Sequence, residues 1–453
     1  MNQEEDVEVA LGLECRYKFH SGTLARSSTL LADLLTEPAA AKLSTRARNN
    51  GVKIRWMIEL SHMPDDEFPA GRLSLVELNQ NGERADGRKG LVVNENGRVP
   101  QADRVFALYE KVFYSFYNKG ISIDDTDMSI VLSDCYKLME ICDYLGCISL
   151  VSKPIEVALL QHGQDFFRGI QSVPYLWIAL AYQIRSEMIF KECMIHLVGN
   201  WKTFRISRKA VESLRQVAGL RALIEKYNRT LLSKCKALEL AIMAFCPENM
   251  RLPSDEQPIK REAYARDVLL WMAMSFFRQW VAQRLITDRG RHAADCGYEM
   301  YKLLEAADDA YLDRSILNQF HARFPLTKKA LTVVDRHIGE FKDQIKRIVG
   351  QHEILKSKCN LDVHQFPVDY LTCVDFKRTD CPWISGQAEL VVVPDKPEYK
   401  PGGNDLARQN LEMERKLQER SLMAADEDDL DDLEENDSDG PEEGPPTKRV
   451  RLN

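Results

Sequence analysis

The sequence predicts a mixed α+β unit at the N-terminus, with short strands packed on helices, followed by an all-α unit and a disordered acidic tail. Three observations carry this reading. The clearest β-branched alternation lies within the first 60 residues. From Ala102 to Gly350 apolar residues recur at helical spacing. From Asp426 to Glu443 there are 12 acidic residues and no basic ones. The boundaries that follow are residues 5–160 for the α+β unit, with an insertion at 62–101, and 164–350 for the helical unit. Residues 351–395 form an irregular extension, and 396–453 a linker helix, the acidic tail and a basic end.

Val7–Val9 and Cys15–Phe19 read as strands, because "CRYKF" alternates large and charged residues. Ser21 is placed as the N-cap of a helix whose stripe runs through Leu24, Ser28, Leu31 and Leu35, since a serine hydroxyl accepts from a first-turn N–H. "VKIRWMIEL", Val52 to Leu60, alternates at Val52, Ile54, Trp56 and Ile58 and gives the strongest strand signal. Residues 62–101 are rich in Gly, Asn, Pro and charge, too long for an ordinary connection, and read as a partly disordered insertion. A small hairpin is expected in it, built from "RLSLVEL" and "GLVV".

Val105, Leu108, Val112 and Phe116 share one helix face. Leu132, Tyr136, Met139 and Asp143 form the next stripe, which Gly146 ends. The helical unit shows no fixed repeat period, which argues against a tandem solenoid. Its aromatic residues Trp177, Trp271, Phe276, Phe277 and Trp280 fall at helical spacings and read as helix–helix core. After His352 the pattern breaks into loops with short strands, then a Pro/Gly linker, a charged helix over 405–423 and the tail.

Eleven cysteines, an odd number scattered through apolar sequence, read as reduced core thiols. No apolar run is long enough to span a bilayer, and the acidic start lacks the features of a secretory signal. The net charge of −8 belongs to the tail: without residues 426–453, which carry −12 and +3, the chain stands near +1. A nearly neutral body gives no broad basic face, so direct nucleic-acid binding is not expected. No membrane partner is expected either.

The order of strand, strand, His-Ser-Gly corner, helix, strand, insertion, helix and helical hairpin over residues 5–160 resembles a BTB/POZ domain. "YKFHSGTLARSSTLLADLL" is similar to that family's strand-end histidine and spaced leucines. "FALYEKVFYSFYNKGI" resembles its aromatic-and-turn segment at Tyr117 and Gly120, and "DCYKLMEICDYLGCISL" its following helix at Asp143, Tyr144 and Gly146. The likeness is nearest to the large BTB-containing proteins of filamentous fungi. It implies a protein-interaction scaffold without enzymatic activity that pairs with itself as a homodimer or with protein partners, and makes His20 a corner residue. Its alternative implication is a substrate adaptor of a cullin-type ubiquitin ligase, with Leu35 and Glu37 as the cullin contact.

No phosphate-binding loop, nucleophile elbow or HExxH motif is present, and no cofactor is implied. Cys359, His364, Cys373 and Cys381 are soft ligands spaced C-x4-H-x8-C-x7-C, but they lack the C-x2-C knuckles that a zinc site uses. Incidental core and loop residues explain them better. The C-terminal "PPTKRVRLN" resembles a short nuclear import signal, with Lys448, Arg449 and Arg451 as importin contacts. It places the protein in the nucleus, with shuttling to the cytoplasm.

Overall fold

The structure is a computed structural model that describes residues 4–12, 15–61, 71–86, 102–247, 250, 268–287 and 289–384. These all lie in the first of the two units into which the chain divides, Met1–Val393 and Pro394–Asn453. The linker helix, acidic tail and basic end expected from the sequence lie outside the described residues. The described part is mixed α+β and mostly helical.

Strands β1 (Val7–Ala10), β2 (Arg16–Phe19), β3 (Trp56–Ser61) and β4 (Arg72–Val76) form one sheet in the order β2-β1-β3-β4. β1 runs antiparallel to β2 but parallel to β3, and β4 runs antiparallel to β3. A parallel pair needs a crossover. It is supplied by α1 (Ser21–Ser27), α2 (Thr29–Leu34) and α3 (Thr45–Asn49). β3 begins four residues later than the alternation indicates, and Trp56 to Leu60 are buried without a break. A central strand covered on both faces loses its polar alternation.

The first predicted helix is in fact two. Ser28 is extended (φ −141°, ψ 127°), its hydroxyl accepts from Leu31 N–H, and it donates to Leu145 O at 2.6 Å. Ser21 is not the N-cap either. It is the first residue of α1, and the Asp6 carboxylate takes its N–H at 2.7 Å and its hydroxyl at 2.6 Å. Of the hairpin expected in the insertion, one half is seen. "RLSLV" is β4 and joins the main sheet, while "GLVV" lies outside the described residues.

Helices α4 (Ala102–Ser115) and α5 (Met128–Leu145) cover this sheet. Val105, Leu108, Val112 and Phe116 are all buried, and the Phe113 ring lies 5.3 Å from Phe19. Gly146 ends α5 at φ +65°, and a Cβ there would stand 2.0 Å from Thr29 Oγ1, so α2 and α5 meet at a point only glycine fits.

Beyond them come α6 (Ile148–Leu160), α7 (Gln164–Ser172), α8 (Pro174–Gln183), α9 (Glu187–Gly199), α10 (Trp201–Phe204), α11 (Arg208–Arg215) and the long α12 (Leu220–Ala244). α9 is buried from Ile189 to Gly199 except at Lys191, and forms the central rod of the helical part. α13 (Val268–Ile286), α14 (Tyr298–Ala306), α15 (Arg314–Arg323) and α16 (Lys328–Gln351) follow, with α13, α14 and α15 packing on α16.

Residues 353–384 return as a strap across α9 and α12. Short strands were expected here; among the described residues there is none, only one 3-10 turn at Arg378–Asp380. The strap nonetheless buries Ile354, Leu361, Tyr370, Leu371, Val374 and Phe376. It passes so close to the end of α9 that a Cβ on Gly199 would lie 2.2 Å from Leu371 O.

All eleven cysteines are free thiols, eight of them buried, so no disulfide holds these elements together. Among the described residues no helix is long and apolar enough to cross a membrane.

Candidate functional site

The residues singled out in the sequence fall in separate places. His20 sits at the strand–helix corner, where its backbone N–H donates to Tyr117 Oη at 2.9 Å and its Nδ1 stands 3.1 Å from the same oxygen. Leu35 is buried, and Glu37 is tied to Arg55 by two contacts of 3.1 and 2.5 Å. The hydrogen bond from Arg55 holds the Glu37 carboxyl below its usual range. Lys448, Arg449 and Arg451 lie outside the described residues.

Cys359, His364, Cys373 and Cys381 do not converge. Cys373 and Cys381 are buried, and desolvation pushes each thiol up to about 11. His364 is exposed on a turn whose N–H groups are taken by Asp362. Cys359 instead comes within 4.8 Å of Glu192 and His196, two residues one turn apart on α9.

That meeting point is the most concentrated set of functional-type side chains among the described residues. Glu192 and His196 are fully buried. Glu192 Oε2 accepts from Asn360 N–H (2.7 Å) and Asn360 Nδ2 (3.0 Å). Its Oε1 accepts from Leu361 N–H (3.1 Å) and stands 3.3 Å from His196 Nε2. His196 Nδ1 lies 2.8 Å from Tyr370 Oη.

A carboxylate has about four acceptor positions, and all four are used here. Both imidazole nitrogens are used as well. A cation at Glu192, His196 and Cys359 would have to break these bonds, and the set offers three ligands where a structural zinc takes four. The arrangement fits a staple: a buried acid that gathers the free N–H groups of the strap and ties them to α9. Sequence reasoning missed it, although Glu192 and His196 are spaced i, i+4 on an apolar helix and each must find a partner once buried.

A second concentration is apolar and exposed. On α15 and its C-cap, Ile316, Phe320 and Phe324 recur at i, i+4 and i+8. Phe320 meets Phe276 of α13 edge-on at 4.8 Å, and Phe324 lies 5.0 Å from Phe320. Phe324 is 61% exposed and Ile316 38%. The ridge therefore stands proud of the surface with one aromatic end in water. Phe276, expected in the core, is half-buried, and its outer edge belongs to this ridge.

A family model for the fungal FF domain matches residues 247–352, 106 of the 453 in the chain. No curated protein and no solved structure matches the chain. FF domains mediate protein–protein interaction. This overturns the reading of the chain as a BTB/POZ protein: the family found is of another type, lies in another part of the chain, and no BTB/POZ match accompanies it. The motifs that carry the resemblance are short, and His20 here serves the corner through its bonds to Tyr117. The cullin contact at Leu35 and Glu37 rested on the same resemblance. The described part of the FF match holds α13 to α16, and with them the aromatic ridge.

Proposed function

We propose that the chain is a non-enzymatic protein-interaction scaffold, and that the aromatic ridge of α13 and α15 anchors a protein partner through apolar contacts. The observation that carries this is Phe324. A phenylalanine left mostly in water, at the end of a row of contacting rings, is the kind of side chain that becomes a binding anchor when a partner covers it. The FF match over the same helices supports the reading, since modules of that type bind proteins.

The test is proximity labelling with the full chain, wild type against Phe324→Ser, in cells that express it. A group of labelled proteins should fall several-fold in the variant while the thermal midpoint stays within a few degrees. An unchanged set of labelled proteins would sink the reading. The basic end, Lys448, Arg449 and Arg451, supports a nuclear location. In the same experiment, replacing these three by Ala should shift the labelled set from nuclear to cytoplasmic proteins.

A further inference from the structure

The strap and α12 line an open cavity of about 430 Å³, within the range of ligand sites. On the α12 side Lys226, Thr230 and Lys234 stand one above the other at i, i+4 and i+8. On the strap side are Asp375, Lys377 and Asp380, over a floor of Leu231, Val374 and the buried Cys373.

The charges are not all balanced. Asp380 is neutralised from within, by Lys226 Nζ at 3.1 Å and by the Tyr227 hydroxyl at 2.6 Å. Lys234 and Lys377 form no ion pair within 4.0 Å among the described residues. Glu353, which senses Lys234, is already held by Lys356 at 2.9 Å, and Asp380, though it also senses Lys377, is paired with Lys226. Two cations thus face the cavity without a close counter-ion, beside a single open carboxylate, Asp375.

We propose that this cavity binds an acidic peptide segment of a partner protein, separately from the aromatic ridge. Lys234 and Lys377 take its carboxylates, and the apolar floor takes a side chain between them. Asp375 decides the class of ligand. A carboxylate in the wall repels the unbroken phosphate charge of a nucleic acid, but it can accept the backbone N–H groups of a peptide. Val374 and Asp375 lie outside the sheet and form no backbone–backbone hydrogen bond with a described residue, so the strap offers backbone groups to a peptide here.

The experiment is fluorescence anisotropy on the full chain with a labelled peptide of about ten residues, Asp and Glu around one central Leu, at physiological salt. Lys234→Glu with Lys377→Glu should weaken binding at least tenfold. Both lysines are exposed, so the fold should persist, and circular dichroism checks it. Lys209→Glu with Lys328→Glu makes the same change in net charge on exposed residues elsewhere and should weaken binding less than threefold. Phe324→Ser should leave it unchanged, which keeps this result distinct from that of the ridge. Equal loss in both charge-reversal pairs, no binding by the wild type, or tighter binding of a single-stranded RNA through the same two lysines would each overturn the proposal.

Discussion

The strap, residues 353–384, and α15 with its C-cap, Arg314–Phe324, pair backbone order with burial in opposite ways. The strap has almost no regular secondary structure, yet it runs through the helical core and seats Tyr370 and Leu371 at 4% and 1% exposure. α15 is a regular helix, yet only Leu317 on it is buried, and its C-cap Phe324 faces water. Hydrogen-bonded periodicity therefore does not decide which segment is held. An irregular segment can be buried when its polar groups find partners. Glu192, His196 and Tyr227 supply several of those partners from the helices. α15 satisfies its own backbone and so leaves its side chains free to be apolar and exposed.

The largest expected effect comes from removing the staple. Glu192→Ala leaves the Asn360 and Leu361 N–H groups and His196 Nε2 without their partner, beside a fully buried His196. Loss of a buried charged hub of this kind costs about 3–5 kcal/mol. Chemical denaturation should show that loss, and hydrogen exchange should place the new openings at 359–371 while α15 keeps its rates. A cost below about 1 kcal/mol, inside the range of a single ordinary hydrogen bond, would mean that packing alone holds the strap.

Gly199→Ala gives a sharper test because two principles predict opposite signs. By helix propensity alone, alanine at the end of α9 should stabilise by up to about 1 kcal/mol. By geometry, its Cβ would lie 2.2 Å from Leu371 O and 2.9 Å from a Tyr370 ring carbon, so backbone must move. Overpacking against backbone costs about 1–3 kcal/mol. The variant should therefore be less stable, with lost protection in the strap. A more stable variant would show that the strap does not lie against α9.

These two sites also mark how far the sequence could be read. Local patterns placed the strands around Val7 and Tyr17 and the apolar faces of α4 and α5, because burial on one face imprints a period. They misplaced the start of β3 and missed the break at Ser28, where a hydroxyl binds Leu145 O across 117 residues. The same limit applies at Asp6, which does the capping assigned to Ser21. The Glu192 staple joins positions 168 and 169 residues apart, with no local pattern to report it. The ridge was half legible: the spacing of Phe276 was seen, but whether a helical aromatic faces core or water depends on a neighbour the sequence does not name.

Asp380→Asn should have the smallest effect, and its value lies in its pH dependence. Hydrogen bonds from Tyr227 and Lys226 hold the Asp380 carboxyl below its ordinary 3.8. A carboxyl lowered on folding contributes stability that is present above its unfolded value and lost as pH falls through the folded one. The docked end of the strap should therefore loosen in acid, beginning near pH 4 and continuing below it. The asparagine variant should be weaker by less than about 1 kcal/mol at neutral pH, as for other partly exposed ion pairs. Its stability should also fall less steeply on the acid side. Denaturation curves from pH 3 to 7 compare the two, and superimposable acid limbs would mean that Asp380 does not hold the strap through its charge. Asp380 also walls the lysine cavity. If the charge holds the strap, acid should open the peptide-facing end of the molecule.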